Sequence, residues 1–219
     1  FTAHSDADVE AALAAGHALY KSDWASPANM SARLKILAML AEVMNARKEE
    51  LARIISIEMG KLIGESRSEV QSCIDIAQYY ADNAARFLAP VPYPDVLGEA
   101  WVEHHPVGII LAVEPWNVPL YQLIRVVAPA IAAGNPMVVK HASNVPQCAL
   151  AMETALKDAG APAGTYRNLF ITPDQVANII ADDRVQGVAL TGSEKAGSIV
   201  AGQAGAKLKK ATMELGGND

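Results

Sequence analysis

The hydrophobic pattern changes character once, at Val107. Before it, apolar positions recur at the helical period. Val9, Leu13 and Leu19 follow Ser5-Asp-Ala-Asp8, a capped helix start. Pro27-Ala-Asn29 is expected to break that helix. Leu34, Leu37, Leu40, Ala41 and Met44 mark one face of a second helix over 31–45. Leu51, Ile54 and Ile55 mark a third over 48–59, stopped by Gly60. Val70, Ile74, Ala77, Tyr80, Ala84 and Phe87 predict a long helix over 65–88. Pro90, Pro92 and Pro94 then impose an extended connector, and 98–105 alternates like an exposed strand or hairpin arm.

From Val107 onward short apolar runs alternate with helical stretches. Val107 to Val113 is β-branched and continuous, the mark of a strand buried on both faces. Pro115 ends it, because proline cannot donate to a ladder. Leu123, Val127 and Ile131 place a helix over 120–133, stopped by Gly134-Asn135, and 136–140 is a second strand. Strand, helix, strand in this length is a βαβ unit with a parallel sheet and a right-handed crossover. Helices over 146–159, 173–181 and 192–204 alternate with strands over 167–171, 187–191 and 209–214. The expected fold is α/β: a Rossmann-like, doubly wound parallel sheet with a helical N-terminal segment. The expected organisation is that segment over 1–95, a strand or hairpin arm over 96–106 and the Rossmann-like domain over 107–219.

Composition narrows the function classes. The 219 residues are 51% hydrophobic and 19% charged, which suits a packed core and argues against disorder. A net charge of −6 without a basic cluster speaks against nucleic acid. The apolar runs are too short to span a bilayer, and Phe1 to Glu10 does not read as a signal peptide. Cys73 and Cys148 are two unpaired thiols without metal spacing, so no metal is expected and a cytoplasmic, reducing location is. Both cysteines read as packing thiols, and the adjacent His104 and His105 make a poor metal pair.

The polar residues of interest gather just beyond the strand ends, where ligands bind in open α/β sheets. Asn117, after Trp116, is either a turn residue or a side-chain donor to a developing oxyanion. Lys140 is either a solvated strand-end cation or a partner for ribose hydroxyls or a 2′-phosphate. Thr191-Gly-Ser193 opens a helix whose free N–H groups favour an anion, or is an ordinary cap. The G-x-G-x-x-G fingerprint is absent. Glu214 before Leu215-Gly-Gly217 is either a solvated acid or a general base with room to move.

Taken in order, Glu-Pro-Trp-Asn-Val-Pro, Gly-Asn-Pro-Met-Val-Val-Lys-His-Ala-Ser, Leu-Thr-Gly-Ser and Met-Glu-Leu-Gly-Gly are far more specific than any one alone. Together they resemble the N-terminal half of the aldehyde dehydrogenase superfamily, with most similarity to its succinate-semialdehyde dehydrogenase group. The resemblance implies oxidation of an aldehyde, in that group succinate semialdehyde, to the acid with NAD or NADP through thiohemiacetal and thioester intermediates. It implies Asn117 as the oxyanion donor and Glu214 as the general base. It places Val113, Glu114, Pro115, Trp116 and Asn117 along the cofactor cleft, and Lys140, His141, Ala142 and Ser143 by the adenosine ribose. It places Gly192 and Ser193 at the pyrophosphate and Leu215 at the nicotinamide amide. It further implies Arg125 as the contact for the far carboxylate of the substrate, and a homodimer or homotetramer joined through the arm.

Four departures accompany the resemblance. The family's nucleophilic cysteine, and the later glutamate on the nicotinamide ribose, fall beyond Asp219, so the catalytic-cysteine domain is absent and these residues alone are expected to be inactive. No glycine stands near Pro173-Asp-Gln175, where many relatives have one by the adenine. Val126 stands where many relatives have a lysine. Alternatives are a cofactor-binding fragment without turnover, an aldehyde dehydrogenase of other specificity, and an acylating or phosphate-dependent reductase. The Glu-Leu-Gly-Gly base disfavours the last, which has no need to activate water.

Overall fold

The computed structural model of the protein describes residues 1–94 and 98–217. Its helices are α1 (Asp6–Tyr20), α2 (Met30–Ala46), α3 (Lys48–Met59), α4 (Ile63–Phe87), α5 (Pro119–Ala133), α6 (Pro146–Asp158), α7 (Pro173–Ala181) and α8 (Glu194–Ala206). Its strands are β1 (Val91–Pro92), β2 (Trp101–Val102), β3 (Ile109–Glu114), β4 (Met137–His141), β5 (Tyr166–Asn168), β6 (Val185–Thr191) and β7 (Lys210–Glu214). β3 to β7 form one sheet in the order β5-β4-β3-β6-β7, every pair parallel. That is the doubly wound arrangement expected from the alternation of strands and helices.

Both sheet faces are covered, and β3 shows why its run is apolar throughout. Ile109 and Leu111 point into a core made with α1, α7 and α8, while Ala112 points into one made with α2 to α6. The helical N-terminal segment is therefore not one layer. Val9, Ala12 and Leu13 of α1 pack with Val176 and Ile179 of α7, across the sheet from α2, α3 and α4. The sequence alone could not separate them, since an amphipathic stripe shows that a helix buries a face and not which surface buries it.

Three expected boundaries move by three residues or more. α1 ends at Tyr20, well before Pro27. Two short 3₁₀ turns follow, capped by Ser22 to the Trp24 N–H and by Ser26 to the Ala28 N–H. Arg33 holds this corner from beneath: it is buried and donates to the carbonyls of Ala132 (3.2 Å), Ser26 (2.8 Å) and Trp24. The arm begins earlier than 96, because β1 pairs antiparallel with β2 (Val91 opposite Val102), and the expected boundary at 95–96 lies outside the described residues. β5 is three residues long, and the chain turns away at Leu169 after one more bond, to the Val139 carbonyl at 2.7 Å. Among the described residues no helix is long and apolar enough to cross a membrane.

Candidate active site at the strand ends

The parallel register lines up the residues that close the strands. Glu114 is opposite His141 on β4, and Thr191 is opposite Glu214 on β7. Glu114 closes the apolar run of β3, and the parallel register brings His141, Thr191 and Glu214 to the same edge, so polar chemistry gathers where the sheet stops. The helices begin at the same edge, so their free N–H groups face it.

One cavity of about 420 Å³ opens there, lined among others by Trp116, Asn117, Gln122, Arg125, Ser193 and Glu214. Asn117 precedes α5 by two residues and is exposed. Arg125, two turns into α5, turns back toward the same space. Its Nη2 donates to Glu214 Oε2 at 2.8 Å and its Nη1 to Gln122 Oε1 at 2.9 Å. The pair is open to water, the side chains of Arg125 and Glu214 being 33% and 58% exposed. Arg125 and Glu214, 89 residues apart in the chain, are thus joined.

The far wall is built by β6, α8 and the turn after β7. Ser193 caps α8 by accepting from the Ala196 N–H at 3.3 Å, and the Gly192 N–H donates to the Glu214 carbonyl at 3.0 Å. Gly197 is needed for the next contact: a Cβ added there would lie 2.4 Å from Leu215 Cδ2. Leu215 can thus lie against the first turns of α8.

A second cavity, of about 370 Å³, lies nearer β4 and includes Lys140, His141, Ser143, Pro146 and Phe170 in its lining. Burial holds the Lys140 ammonium below its usual pKa. His141 borders this space, but the residue is only 3% exposed. Nε2 lies 3.0 Å from the Pro119 carbonyl and Nδ1 accepts from the Ala142 N–H at 2.8 Å, so the ring is neutral with its proton on Nε2. Burial drives its pKa down to about 4. The two cavities divide the expected cofactor residues between them. Val113 lines neither, packing instead with the α1, α7 and α8 core, and Ala142 packs against the core on the other face.

Glu114 also turns inward. It is 3% exposed, and neither carboxylate oxygen has a hydrogen-bond partner. Burial raises its pKa to about 8; the nearby Thr191 hydroxyl and Arg125 charge oppose that and do not overcome it. Burial thus favours the protonated form of Glu114. Cys73 and Cys148 are fully buried, and burial raises both thiols, so neither is a nucleophile. Among the described residues no cluster of three His, Cys, Asp or Glu side chains is placed for a metal.

Two residues near the site escaped the sequence reading, Glu58 and Glu69. Glu58 on α3 accepts from the Gln147 and Cys148 N–H groups at 2.7 and 2.9 Å. Glu69 on α4 accepts from those of Leu120 and Tyr121 at 2.8 and 3.2 Å. The signal was indirect: α5 and α6 each begin with Pro after a Val that cannot cap, so their N–H groups needed acceptors from elsewhere.

The edge fits a dinucleotide. The α8 N-terminus offers N–H groups and dipole to a pyrophosphate. Lys140 is a half-buried cation with no carboxylate bonded to it among the described residues, as a ribose or phosphate contact requires.

Comparison with known proteins identifies the family. The model of the aldehyde dehydrogenase family matches residues 1–219. The succinate-semialdehyde dehydrogenase [NADP(+)] of Deinococcus radiodurans is 47% identical over 187 residues, 85% of this chain and 39% of that protein. A probable enzyme of the same name from Synechocystis is 39% identical over 219 residues, 100% of this chain and 48% of that one. The crystal structure of succinic semialdehyde dehydrogenase from Streptococcus pyogenes in complex with NADP+ superposes with a TM-score of 0.97 at 45% identity, covering 100% of this chain and 48% of that one. The chain thus spans about half the length, or less, of these relatives.

Proposed function

Since the chain belongs to the aldehyde dehydrogenase family, we propose that it is the cofactor-binding half of an NAD(P)-dependent enzyme oxidising succinate semialdehyde to the dicarboxylic acid. The observation that carries this reading is the shared cavity: an amide donor (Asn117), a cation (Arg125) and a carboxylate (Glu214) face one space beside the α8 N-terminus. Relatives named for that substrate and for NADP support it.

The assignments follow the geometry. Asn117 donates its side-chain N–H to the aldehyde oxygen as negative charge builds there. Arg125 offers a planar fork to the far carboxylate of the substrate. Glu214 takes a proton from the water that releases the acid, and the turn after it gives it freedom to move. Lys140 and Ser143 hold the adenosine ribose, and Gly192 and Ser193 the pyrophosphate. Pro115, Trp116 and Leu215 border the nicotinamide end. The nicotinamide ring supplies the hydride acceptor when bound. Ser143 presents no carboxylate to repel a 2′-phosphate, which supports acceptance of NADP.

The Arg125–Glu214 pair adds a condition. A guanidinium holding the general base restrains it, so an arriving carboxylate that takes Arg125 also releases Glu214. The arm supports a homodimer or homotetramer as the assembly, since Val91, Tyr93, Trp101 and Val102 are all at least 44% exposed on it. The test is NAD(P)H formation by the full-length enzyme carrying this chain, with succinate semialdehyde against butanal. A preference for butanal would reject the substrate.

A further inference from the structure

Wherever the first turn of α5 sits, Asn117 and Arg125 sit with it, one just before that turn and one just after. That turn has no cap of its own. Val118 makes no capping bond and Pro119 has no N–H. The next two N–H groups, of Leu120 and Tyr121, both donate to Glu69 Oε1, at 2.8 and 3.2 Å, from a residue 51 positions earlier in the chain. Glu69 Oε2 accepts from Lys61 Nζ at 2.6 Å, and the Glu69 side chain is only 2% exposed. On the opposite side of the turn, His141 Nε2–H donates to the Pro119 carbonyl at 3.0 Å. A buried carboxylate is tolerable only when its lone pairs are met, and here two backbone donors and an ammonium meet them at the positive end of a helix.

We propose that Glu69 is a positioning residue of the active site: through the Leu120 and Tyr121 N–H groups it fixes the turn that presents Asn117 to the aldehyde oxygen. The inference rests on the reading of Asn117 as the oxyanion donor. Glu58 provides the contrast. It makes the same pair of bonds to α6, which follows Lys140 and Ser143 on the cofactor side. With Glu58 intact, loss of the Glu69 contact disturbs the chemical step while the α6 side of the cofactor cleft, with Lys140 and Ser143, stays in place.

The experiment compares Glu69→Asp and Glu69→Gln in the full-length enzyme at saturating cofactor. It reads the hydride burst rate with the aldehyde that the parent enzyme uses best, and the cofactor Kd. Asp sets the carboxylate back by one methylene, and the burst is expected to slow by roughly ten- to a hundred-fold with Kd within about twofold, since a misplacement near 1 Å costs that much. Gln keeps an acceptor oxygen in place while Lys61 turns to water, so its burst is expected to stay within about fivefold of the parent. A Glu69→Asp burst within twofold of the parent, a Kd weakened by the same factor as the burst, or failure of this variant to fold each overturns the proposal. If the functional reading itself is wrong the parent shows no burst, and amide exchange at Leu120 and Tyr121 then decides: faster in Glu69→Asp if Glu69 holds the turn, unchanged if it does not.

Discussion

Replacing Arg125 with Leu tests substrate choice and the state of the general base together. The side chain now bonds Glu214 at 2.8 Å and Gln122 at 2.9 Å. A substrate carboxylate must displace Glu214 to use the fork. A hydrogen bond to a charged group is worth about 1.5–3 kcal/mol, and an ion pair as exposed as this one about 0–1 kcal/mol. The net loss on removing Arg125 is then about 0.5–3 kcal/mol, and KM for succinate semialdehyde should rise by roughly two- to 160-fold. Butanal has no carboxylate to lose a contact, and Glu214 is freed of its cation. Its kcat should therefore be unchanged or rise slightly, within about threefold. Initial rates of NADPH formation with both aldehydes read this directly. An equal loss on both would refute the reasoning and make Arg125 a structural partner of Glu214.

Glu214→Gln keeps the shape and removes the base, so the hydride burst should survive while steady turnover falls by roughly 10²–10⁴; a lost burst with unchanged cofactor affinity would contradict the assignment. Ser143→Glu should raise the NADP KM far more than the NAD KM, and equal effects would remove Ser143 from the ribose site. Glu114 has a folded pKa of about 8, above its unfolded value near 4.5, so the folded state holds the extra proton between those pH values and stability falls as pH rises through that window. Glu114→Gln should remove a slope of up to about 1.4 kcal/mol per pH unit and be the more stable protein at pH 8. Urea melts of parent and variant across pH 5–8 check this, the His141 contribution cancelling between them; parallel curves would show that Glu114 ionises freely.

Much of the fold was legible in the residues because the periodicity was strong. The span of α7 was read without error, and α5, α6 and β4 fell within a residue or two, since Pro and Gly punctuate them and their buried faces are continuous. The placement of Asn117, Lys140, Ser193 and Glu214 at one edge was legible too, because parallel strands joined by helices bring their ends together whatever the packing details. What local pattern cannot carry is which partner a side chain meets across the chain. The placement of α1 on the opposite sheet face from α2 to α4 depends on how both faces fill. The ion pair between Arg125 and Glu214 spans 89 residues, and the capping of α5 by Glu69 spans 51. In the sequence Glu114 only follows an apolar strand, and the family resemblance puts it along the cofactor cleft. Only the closure of α5 and β6 around it removes water from both oxygens and favours its protonated form. Apolar spacing determines which surfaces must be buried, and the tertiary fold alone decides which charges are buried with them, because desolvation depends on every neighbour at once.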